Sequence, residues 1–479
     1  MSKFSAFLKE LLSQRGEPIA RIAKNTGLER TSIHKALKDE RLLSYTAVRR
    51  LCDYLQLTLP QVRELNMYYQ MLLQGEESYR TQETICELLG ELSQLHFSCA
   101  ESLPKRKGSA APPRIPSVLY GHPQIESAVL SLLKWEADTG NPEFSLYLPP
   151  EFSSVAASLL QLWTEGSSCT VRQLVAFLPE RSGEDNRRKN LHLLKKLLPL
   201  SLISKGSYFA YYYFQQDTSL VSIDPLPFFI LTPHYLIHLD QGLSVAQFET
   251  SPELIRLYAK RFSQILEECQ LLNSYSGSLE HILDSYMQGT SRDSYYTLMT
   301  QPCLGRYYTL ERISRHIRPG IPNREAVIQL CDQRFQRLRE LNGNYYTIFT
   351  EEGLRQFARD GIIVDLPPEL VLPVSPSVRR ELLWALRQDM EEGHIKGCIA
   401  DMERLPIPPY LTLTCDPTYG VHIYTVQGFI QGAYACSLHI QETGIGQSFC
   451  SFIRFLPDSR YVYPLERTLS VLDELIETI

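Results

Sequence analysis

PIARIAKNTGLERTSIHKALK, residues 18–38, is the stretch that decides the fold of the N-terminal region. Apolar residues recur at helical spacing on both sides of Gly27. They are Ile19, Ile22 and Ala23 before the glycine, and Ile33, Ala36 and Leu37 after it. The pattern predicts two short helices that meet at Gly27, where a residue with positive φ is often needed.

The second of these helices, about Glu29–Lys38, leaves six hydrogen-bond donors outside its apolar stripe. They are Arg30, Thr31, Ser32, His34, Lys35 and Lys38, and none of them is acidic. A short helix that presents donors to solvent and is braced by a second helix fits a DNA major groove. We predict that Arg30 reads a guanine with its planar fork, that Thr31, Ser32 and Lys35 reach the same groove, and that His34 and Lys38 contact phosphates.

Three further helices are predicted around this pair, at residues 4–14, 45–55 with Ser44 as N-cap, and 60–73. The arrangement resembles the Cro/CI-type helix-turn-helix domain of the XRE family of bacterial regulators. The matching positions are Ile22, Ala23, Gly27, Leu28, Ser32 and Ile33, followed by Ser44, Val48, Leu51, Cys52 and Leu55. The resemblance implies an all-α domain over residues 1–75 that binds double-stranded DNA, and a homodimer that reads two half-sites.

Two positions depart from the family pattern. Ile19 stands where many members open the second helix with a Gln that contacts phosphate. Asp39 stands where a glycine often follows the recognition helix.

Composition and charge indicate a cytoplasmic protein. The 479 residues are 44% hydrophobic and 21% charged, which is ordinary for a globular chain. We expect no membrane partner, because there is no secretory signal and no apolar run of the roughly 18–20 residues that span a bilayer. Eleven cysteines without a C-x-x-C pair favour neither disulfides nor a zinc cluster. Residues 1–59 carry eleven Lys and Arg and six Asp and Glu, which gives them a charge of +5. Because the whole chain has a net charge of −6, the remaining residues carry −11.

Beyond residue 75 the sequence predicts four segments. Residues 76–100 form a connecting amphipathic helix with Ile85, Leu88, Leu89, Leu92 and Leu95 on one face, which either packs within the chain or pairs with its twin in a dimer. Residues 101–116 form a Pro- and Gly-containing linker. Residues 117–290 and 291–479 form two α/β (α+β) blocks for effector sensing or oligomerisation. Each block places strands before an amphipathic helix, 252–269 and 463–478, so we expect a duplicated unit.

Three local patterns in these blocks lead to explicit predictions. Tyr208–Phe214 is predicted as an aromatic strand of the sheet core, although it could also line a ligand pocket or stack on a base. Gly444-Ile445-Gly446 is predicted as a turn rather than a phosphate cradle. Residues 449–456 are predicted as the last strand before the final helix.

Catalysis was considered at His394, Lys396 and Asp401, whose H-x-K-x-x-x-x-D spacing resembles the phospholipase D superfamily. That superfamily usually carries two such motifs and a Gly-Ser after the Asp, and this chain has one motif and no Gly-Ser there. Phosphate-loop, dinucleotide and H-E-x-x-H patterns are absent from the sequence. We therefore predict a transcriptional regulator that is not an enzyme and has neither cofactor nor metal. The alternatives are a phosphodiester-acting enzyme with a DNA-binding appendage, a degenerate sensor fold, and a protein-interaction module tethered to DNA.

Overall fold

The computed structural model describes residues 1–94, 111–149, 152–179, 185–215, 224–276, 293–341, 343–364, 366, 370–425 and 436–479. The chain divides into two compact units, Met1–Glu83 and Thr84–Ile479. The predicted order of an all-α region followed by a mixed α/β region is confirmed. Within the described residues, no helix combines the length and the apolar character that a membrane span requires.

The first unit is all-helical. Its helices are α1 (Lys3–Arg15), α2 (Ile19–Thr26), α3 (Arg30–Leu37), α4 (Tyr45–Leu55) and α5 (Leu59–Gln74), and α6 (Glu76–Ser93) begins there and continues into the residues of the second unit. Local signals set the ends: the hydroxyl of Ser44 accepts a hydrogen bond from the backbone N–H of Ala47 at the start of α4, as predicted. The core is formed by one face of each of α1 to α5, including Leu8, Ile22, Ile33 and Leu51.

The first sheet of the second unit has eight strands in the order β1-β7-β6-β5-β2-β3-β4-β8. The pairs β2–β3 and β3–β4 are parallel. All other strand pairs of this sheet are antiparallel. The strands are β1 (Val118–Tyr120), β2 (Glu143–Tyr147), β3 (Thr170–Phe177), β4 (Tyr208–Phe214), β5 (Phe228–Leu231), β6 (Leu236–Leu239), β7 (Val245–Glu249) and β8 (Gln270–Leu271). Its helices are α7 (His122–Thr139), α8 (Ser153–Thr164), α9 (Asp185–Ile203) and α10 (Pro252–Glu268).

The second sheet has seven strands in the order β12-β11-β10-β13-β14-β15-β9. The strands are β9 (Asn273–Ser276), β10 (Tyr295–Leu298), β11 (Tyr345–Phe349), β12 (Ile395–Ile399), β13 (Leu411–Asp416), β14 (Gly420–Thr425) and β15 (Cys436–Ile440). Its helices are α11 (Leu310–His316), α12 (Arg324–Glu340), α13 (Glu351–Asp360), α14 (Pro376–Glu391), α15 (Thr443–Phe455) and α16 (Leu465–Thr478).

Apart from β8, which pairs with β4 and has no counterpart among the described strands of the second sheet, the two sheets share one topology. Each sheet contains three adjacent parallel strands, β2-β3-β4 in the first and β10-β11-β12 in the second. Three antiparallel strands follow in the chain, β5-β6-β7 and β13-β14-β15, and they extend the sheet from the free edge of β2 or β10. The strand before the parallel trio, β1 or β9, pairs with the last antiparallel strand, β7 or β15. This correspondence supports the predicted duplicated unit. The sequence carries no residue-level repeat because the shared property is strand order, which many different apolar residues can satisfy.

The predicted block boundary at 290/291 differs from the change of sheet, which lies between Leu271 of β8 and Asn273 of β9. β9 already belongs to the second sheet because Asn273–Ser276 pair with β15, more than 150 residues later in the chain. Pairing at that separation leaves no local trace in the sequence.

The strand predicted at 449–456 is wrong, because these residues belong largely to α15. The run 449–456 is rich in aromatic residues, which favours a strand, but the less buried residues Gln447, Ser451 and Arg454 recur at helical spacing and form the outer side of the helix. The predicted turn at 444–446 is also wrong, because the first turn of α15 contains it. A Cβ at Gly446 would lie 2.8 Å from Gly420 Cα, so the glycine allows α15 to approach the turn between β13 and β14 closely.

The apolar face of the connecting helix packs within the chain. Ile85, Leu88, Leu89 and Leu92 are buried in the core of the second unit, and the hydroxyl of Tyr410 donates a hydrogen bond to the Leu92 carbonyl at 2.6 Å. This face is therefore occupied and is not a seam for a twin helix. Leu95 and most of the predicted linker, 101–110, lie outside the described residues.

Candidate nucleic-acid interface

The turn between α2 and α3 follows from Gly27. This residue has φ +68°, and the backbone N–H of Leu28 donates to the carbonyl of Ala23 at 3.0 Å, which closes the end of α2. Glu29 then takes an extended conformation as the N-cap residue of α3. The predicted pair of helices that meet at Gly27 is thus present as α2 and α3, and α3 begins at Arg30.

One side of α3 is fixed in the core. Ile33 and Ala36 are buried, and α3 packs against α1 and α2. Because helical residues three and four apart share a face, burial of Ile33 and Ala36 turns the opposite side of the helix to solvent. That side carries Arg30, Thr31, His34, Lys35 and Lys38, which we call the donor face.

The donor face is not uniform. Arg30, Thr31, Lys35 and Lys38 are exposed, whereas His34 is half-buried. The Arg30 Nε–H donates to His34 Nε2 at 3.4 Å, so the two side chains lie side by side one turn apart. Lys38 lies 4.0 Å from the Glu40 carboxylate, a contact at the outer limit of an ion pair. No acidic residue occurs between Arg30 and Lys38.

Ser32 lies at the margin of this face. It is half-buried, and its hydroxyl donates to the Glu29 carboxylate at 3.4 Å. The structure therefore brings together five of the six predicted contact residues and leaves Ser32 beside them, close to the helix N-terminus.

Asp39, the residue after the C-cap of α3, combines a positive φ with side-chain contacts that a glycine could not make. Its φ is +60°, the left-handed region that Asp tolerates better than most residues. The carboxylate accepts hydrogen bonds from the backbone N–H and the hydroxyl of Ser2, each at 2.6 Å, and from the Ser5 hydroxyl at 3.1 Å. These bonds, chiefly the one from the Ser2 side chain, lower the pKa of Asp39. Asp39 thus connects the end of α3 to the start of α1.

A second polar contact braces α2. The Tyr54 hydroxyl on α4 donates to Glu17 at 2.8 Å and accepts from the Asn25 side chain at 2.7 Å. The hydrogen bond from Tyr54 is the main reason that the pKa of Glu17 is lowered. Both ends of α2 are therefore tied to α4, which holds the helix that supports α3.

Sequence reasoning missed one cation beside α3. Arg50 of α4 is exposed, and its Nη1 lies 3.9 Å from the position that a Cβ at Gly27 would take. A guanidinium therefore flanks the turn that precedes the donor face. The available signal was the Arg49-Arg50 pair on the polar side of the 45–55 helix.

The His394 motif is arranged differently. His394 precedes β12, and its Nδ1 lies 3.3 Å from a carboxylate oxygen of Asp389 and 3.3 Å from one of Glu392. The ligand atoms of these three residues fall within 4.8 Å of one another. Lys396 is exposed on β12, and Asp401 is buried beyond its other end, where it pairs with Arg404 at 3.1 Å. At about 3.3 Å per residue the strand separates His394 from Asp401 by well over 15 Å, so the structure does not bring the three together. The corresponding strand of the first sheet, β4, contains neither His nor Lys.

The aromatic segment Tyr208–Phe214 forms β4 as predicted. Tyr208 and Tyr212 are buried in the core, whereas Phe209, Tyr211 and Tyr213 lie on the opposite side of the sheet and are half-buried. The hydroxyls of Tyr208 and Tyr212 bond Gln173 and Gln270. The core assignment therefore applies to alternate residues of the strand.

Comparison with known proteins gives little further guidance. No protein-family model and no curated protein matches the chain. Among solved structures, 45% of the chain aligns with 72% of TrmBL2, an archaeal chromatin protein whose structure is described as showing a novel mode of DNA binding, at 10% sequence identity and a TM-score of 0.23. The functional interpretation therefore rests on the geometry of α3.

Proposed function

We propose that this chain is a sequence-specific, DNA-binding transcriptional regulator of the Cro/CI (XRE) type, in which α3 enters the major groove. The observation that carries the proposal is the donor face: four donor side chains on one side of an eight-residue helix, and a fifth on its C-cap residue Lys38, with the other side of the helix held in a core. Arg30 reads base edges together with Thr31 and Lys35, and Lys38 contacts phosphate.

The charge distribution supports the same role. Residues 1–59 have a charge of +5, which favours contact with the phosphate backbone, and the negative charge of the remainder disfavours it elsewhere. Arg50, beside the Gly27 turn, adds a cation where a DNA backbone next to α3 would pass. The second unit is proposed to sense an effector or to hold a homodimer, and the protein is proposed to act in the cytoplasm.

The proposal is tested by selecting bound sequences from a random double-stranded DNA library with the full chain. The informative variant is Arg30→Ala with Lys35→Ala, and the control of equal charge is Lys9→Ala with Arg63→Ala, exposed residues of α1 and α5. We expect the wild type and the control to enrich one motif, and the α3 variant to enrich none. Equal enrichment by both variants would show that α3 is not the reading element.

The phosphodiesterase alternative requires His394 and Lys396 to act on a substrate. His394 is instead engaged with Asp389 and Glu392, and we propose no catalytic role for it. Hydrolysis of a phosphodiester by the full chain that is abolished in His394→Ala would reverse this assignment.

A further inference from the structure

The carboxyl end of α14 brings three metal-ligating side chains together. Asp389 lies in the last turn of this helix, Glu392 is its C-cap residue, and His394 follows Gly393. Gly393 has φ +78°, a left-handed conformation that turns the chain after the helix, and the His394 ring contacts Asp389 across this turn. One short segment, Asp-x-x-Glu-x-His, therefore supplies two oxygen ligands and one nitrogen ligand.

The separations between the ligand atoms match those of a tetrahedral metal site. His394 Nδ1 lies 3.3 Å from Asp389 Oδ1 and 3.3 Å from Glu392 Oε2. Two ligand atoms that each lie about 2.0–2.1 Å from a tetrahedral zinc ion are about 3.4 Å apart, so both separations already fit. A charge-assisted hydrogen bond from an imidazolium to a carboxylate is shorter, about 2.7–2.9 Å. The distances therefore fit a shared cation better than a direct ion pair.

Asp389 is oriented from outside the group. Its second oxygen, Oδ2, accepts a hydrogen bond from the Tyr307 hydroxyl at 2.9 Å and lies 3.1 Å from Arg306 Nε. Burial and the Asp389 charge raise the pKa of Tyr307, so its hydroxyl stays a hydrogen-bond donor. Outer contacts of this kind fix the direction of a ligating carboxylate and add to metal affinity. They leave Oδ1 on the side of His394.

The charges around the group favour a divalent cation. The negative pole of α14, a helix of 16 residues, lies at this end. Asp389 and Glu392 contribute two negative charges, and Arg306 offsets one of them. Lys396 is an opposing cation, because its Nζ lies 3.7 Å from the position that a Cβ at Gly393 would take. Its side chain is exposed and is free to turn into solvent.

We propose that Asp389, Glu392 and His394 form a binding site for a divalent transition-metal ion, with Zn²⁺ as the ion whose geometry fits best. The mixed nitrogen and oxygen ligands suit Zn²⁺ better than Ca²⁺ or Mg²⁺, which prefer oxygen alone. Three protein ligands leave a further coordination position for water. The site differs from the sequence prediction of no metal, which rested on familiar spacings such as H-E-x-x-H. It lies in the second unit and does not depend on DNA binding by α3.

The test is equilibrium dialysis of Zn²⁺ against the reduced full chain without DNA. His394→Ala is the informative variant. His122→Ala is the matched control, because His122 is an exposed histidine whose Nδ1 faces a single carboxylate among the described residues, Glu126 at 3.6 Å. We expect the wild type and His122→Ala each to bind one Zn²⁺ per chain more than His394→Ala. Equal stoichiometry and affinity in all three proteins would overturn the assignment.

Two carboxylate-side variants separate ligation from a structural role. Glu392→Ala changes an exposed side chain, so it should unfold at the wild-type temperature and still lose the same Zn²⁺. It decides the question if His394→Ala fails to fold, and wild-type zinc affinity in Glu392→Ala would also overturn the proposal. Tyr307→Phe removes the hydroxyl that holds Asp389 Oδ2 and should weaken Zn²⁺ binding about tenfold.

Lys396→Ala tests the site by strengthening it. The substitution removes the cation beside Gly393, so Zn²⁺ should bind about threefold more tightly. A purely structural contact between His394 and the carboxylates predicts no such gain. Weaker zinc binding in Lys396→Ala would contradict the proposed position of the metal.

Discussion

The donor face of α3 and the segment from His394 to Asp401 are both short polar patterns in the sequence, yet their backbones distribute side chains differently. In α3 a helical repeat of 3.6 residues puts the exposed Arg30 and the half-buried His34 one turn apart, with Thr31 and Lys35 beside them and Lys38 at the C-cap. His394 lies in the bend before β12, Lys396 is exposed on the strand, and extension of the strand carries Asp401 to the other end.

The difference teaches that spacing is informative only together with the element that carries it. A helix concentrates residues that are four apart, so a run of eight residues is enough to build a recognition surface. A strand disperses residues that are seven apart, so the same number of polar residues does not converge. The predictions that follow test this contrast.

The largest expected effect is that of Arg30→Ala on the DNA motif selected by the wild type. We expect a loss of about 1–3 kcal/mol in binding free energy and relaxed preference at one base pair, because the bidentate contact to guanine is removed. Fluorescence anisotropy with a labelled duplex measures both. Arg63→Ala on α5 is the control, and an Arg30→Ala variant with wild-type affinity would break the assignment of α3.

Asp39→Ala should lower the stability of the first unit by about 1 kcal/mol, since the three bonds to Ser2 and Ser5 are lost. Hydrogen exchange of peptides from residues 1–59 in the full chain measures it. The pKa of Asp39 is lowered on folding, so its contribution is present above the unfolded pKa of about 4 and is lost as pH falls through the lower folded pKa.

Asp39→Asn separates charge from conformation. The amide keeps an acceptor and tolerates positive φ, so its stability should fall between those of wild type and Asp39→Ala at pH 7. The gap between wild type and Asp39→Asn should narrow below about pH 4. A gap that stays constant with pH would mean that the carboxylate charge is not what stabilises this contact.

Lys38→Ala should have a smaller and sequence-independent effect. We expect cognate and random duplexes to weaken equally and the slope of log affinity against log salt to fall by about 1, as for the loss of one phosphate contact. Titrations at several salt concentrations measure the slope. A loss confined to the cognate duplex would assign Lys38 to base reading instead.

The smallest expected effect is that of His394→Ala on DNA binding. Affinity and salt slope should match the wild type, because this side chain bonds Asp389 and Glu392 in the second unit. The same anisotropy assay serves, with Lys396→Ala as a companion variant. A clear loss of affinity in His394→Ala would remove the contrast between the two patterns.

The predictable parts of this protein are those governed by neighbours in sequence. Gly27, the Ser44 cap and the burial of Ile33 follow from local rules, and they place the donor face almost completely. The sequence predicted Ser32 as part of the donor face, whereas the structure places it at the margin with its hydroxyl bonded to Glu29. Helical spacing alone does not reveal that bond. Arg50 was missed because only folding brings α4 beside the Gly27 turn.

The second unit was less predictable for the same physical reason. Strand order depends on pairings such as Asn273 with Ile440, which no local pattern encodes. α15 was predicted as a strand because its many aromatic residues favour a strand, although Gln447, Ser451 and Arg454 recur at helical spacing on its outer side.

The sequence by itself determined the first five helices, the Ser44 cap, the Gly27 turn and the side of α3 that carries donors, because these depend on interactions a few residues apart. Tertiary structure alone decided that Asp39 ties α3 to α1, that Arg50 lies beside the Gly27 turn, and that the two sheets repeat one strand order apart from β8. Each of these depends on contacts between segments distant in the chain, whose partners are selected only when the whole core packs.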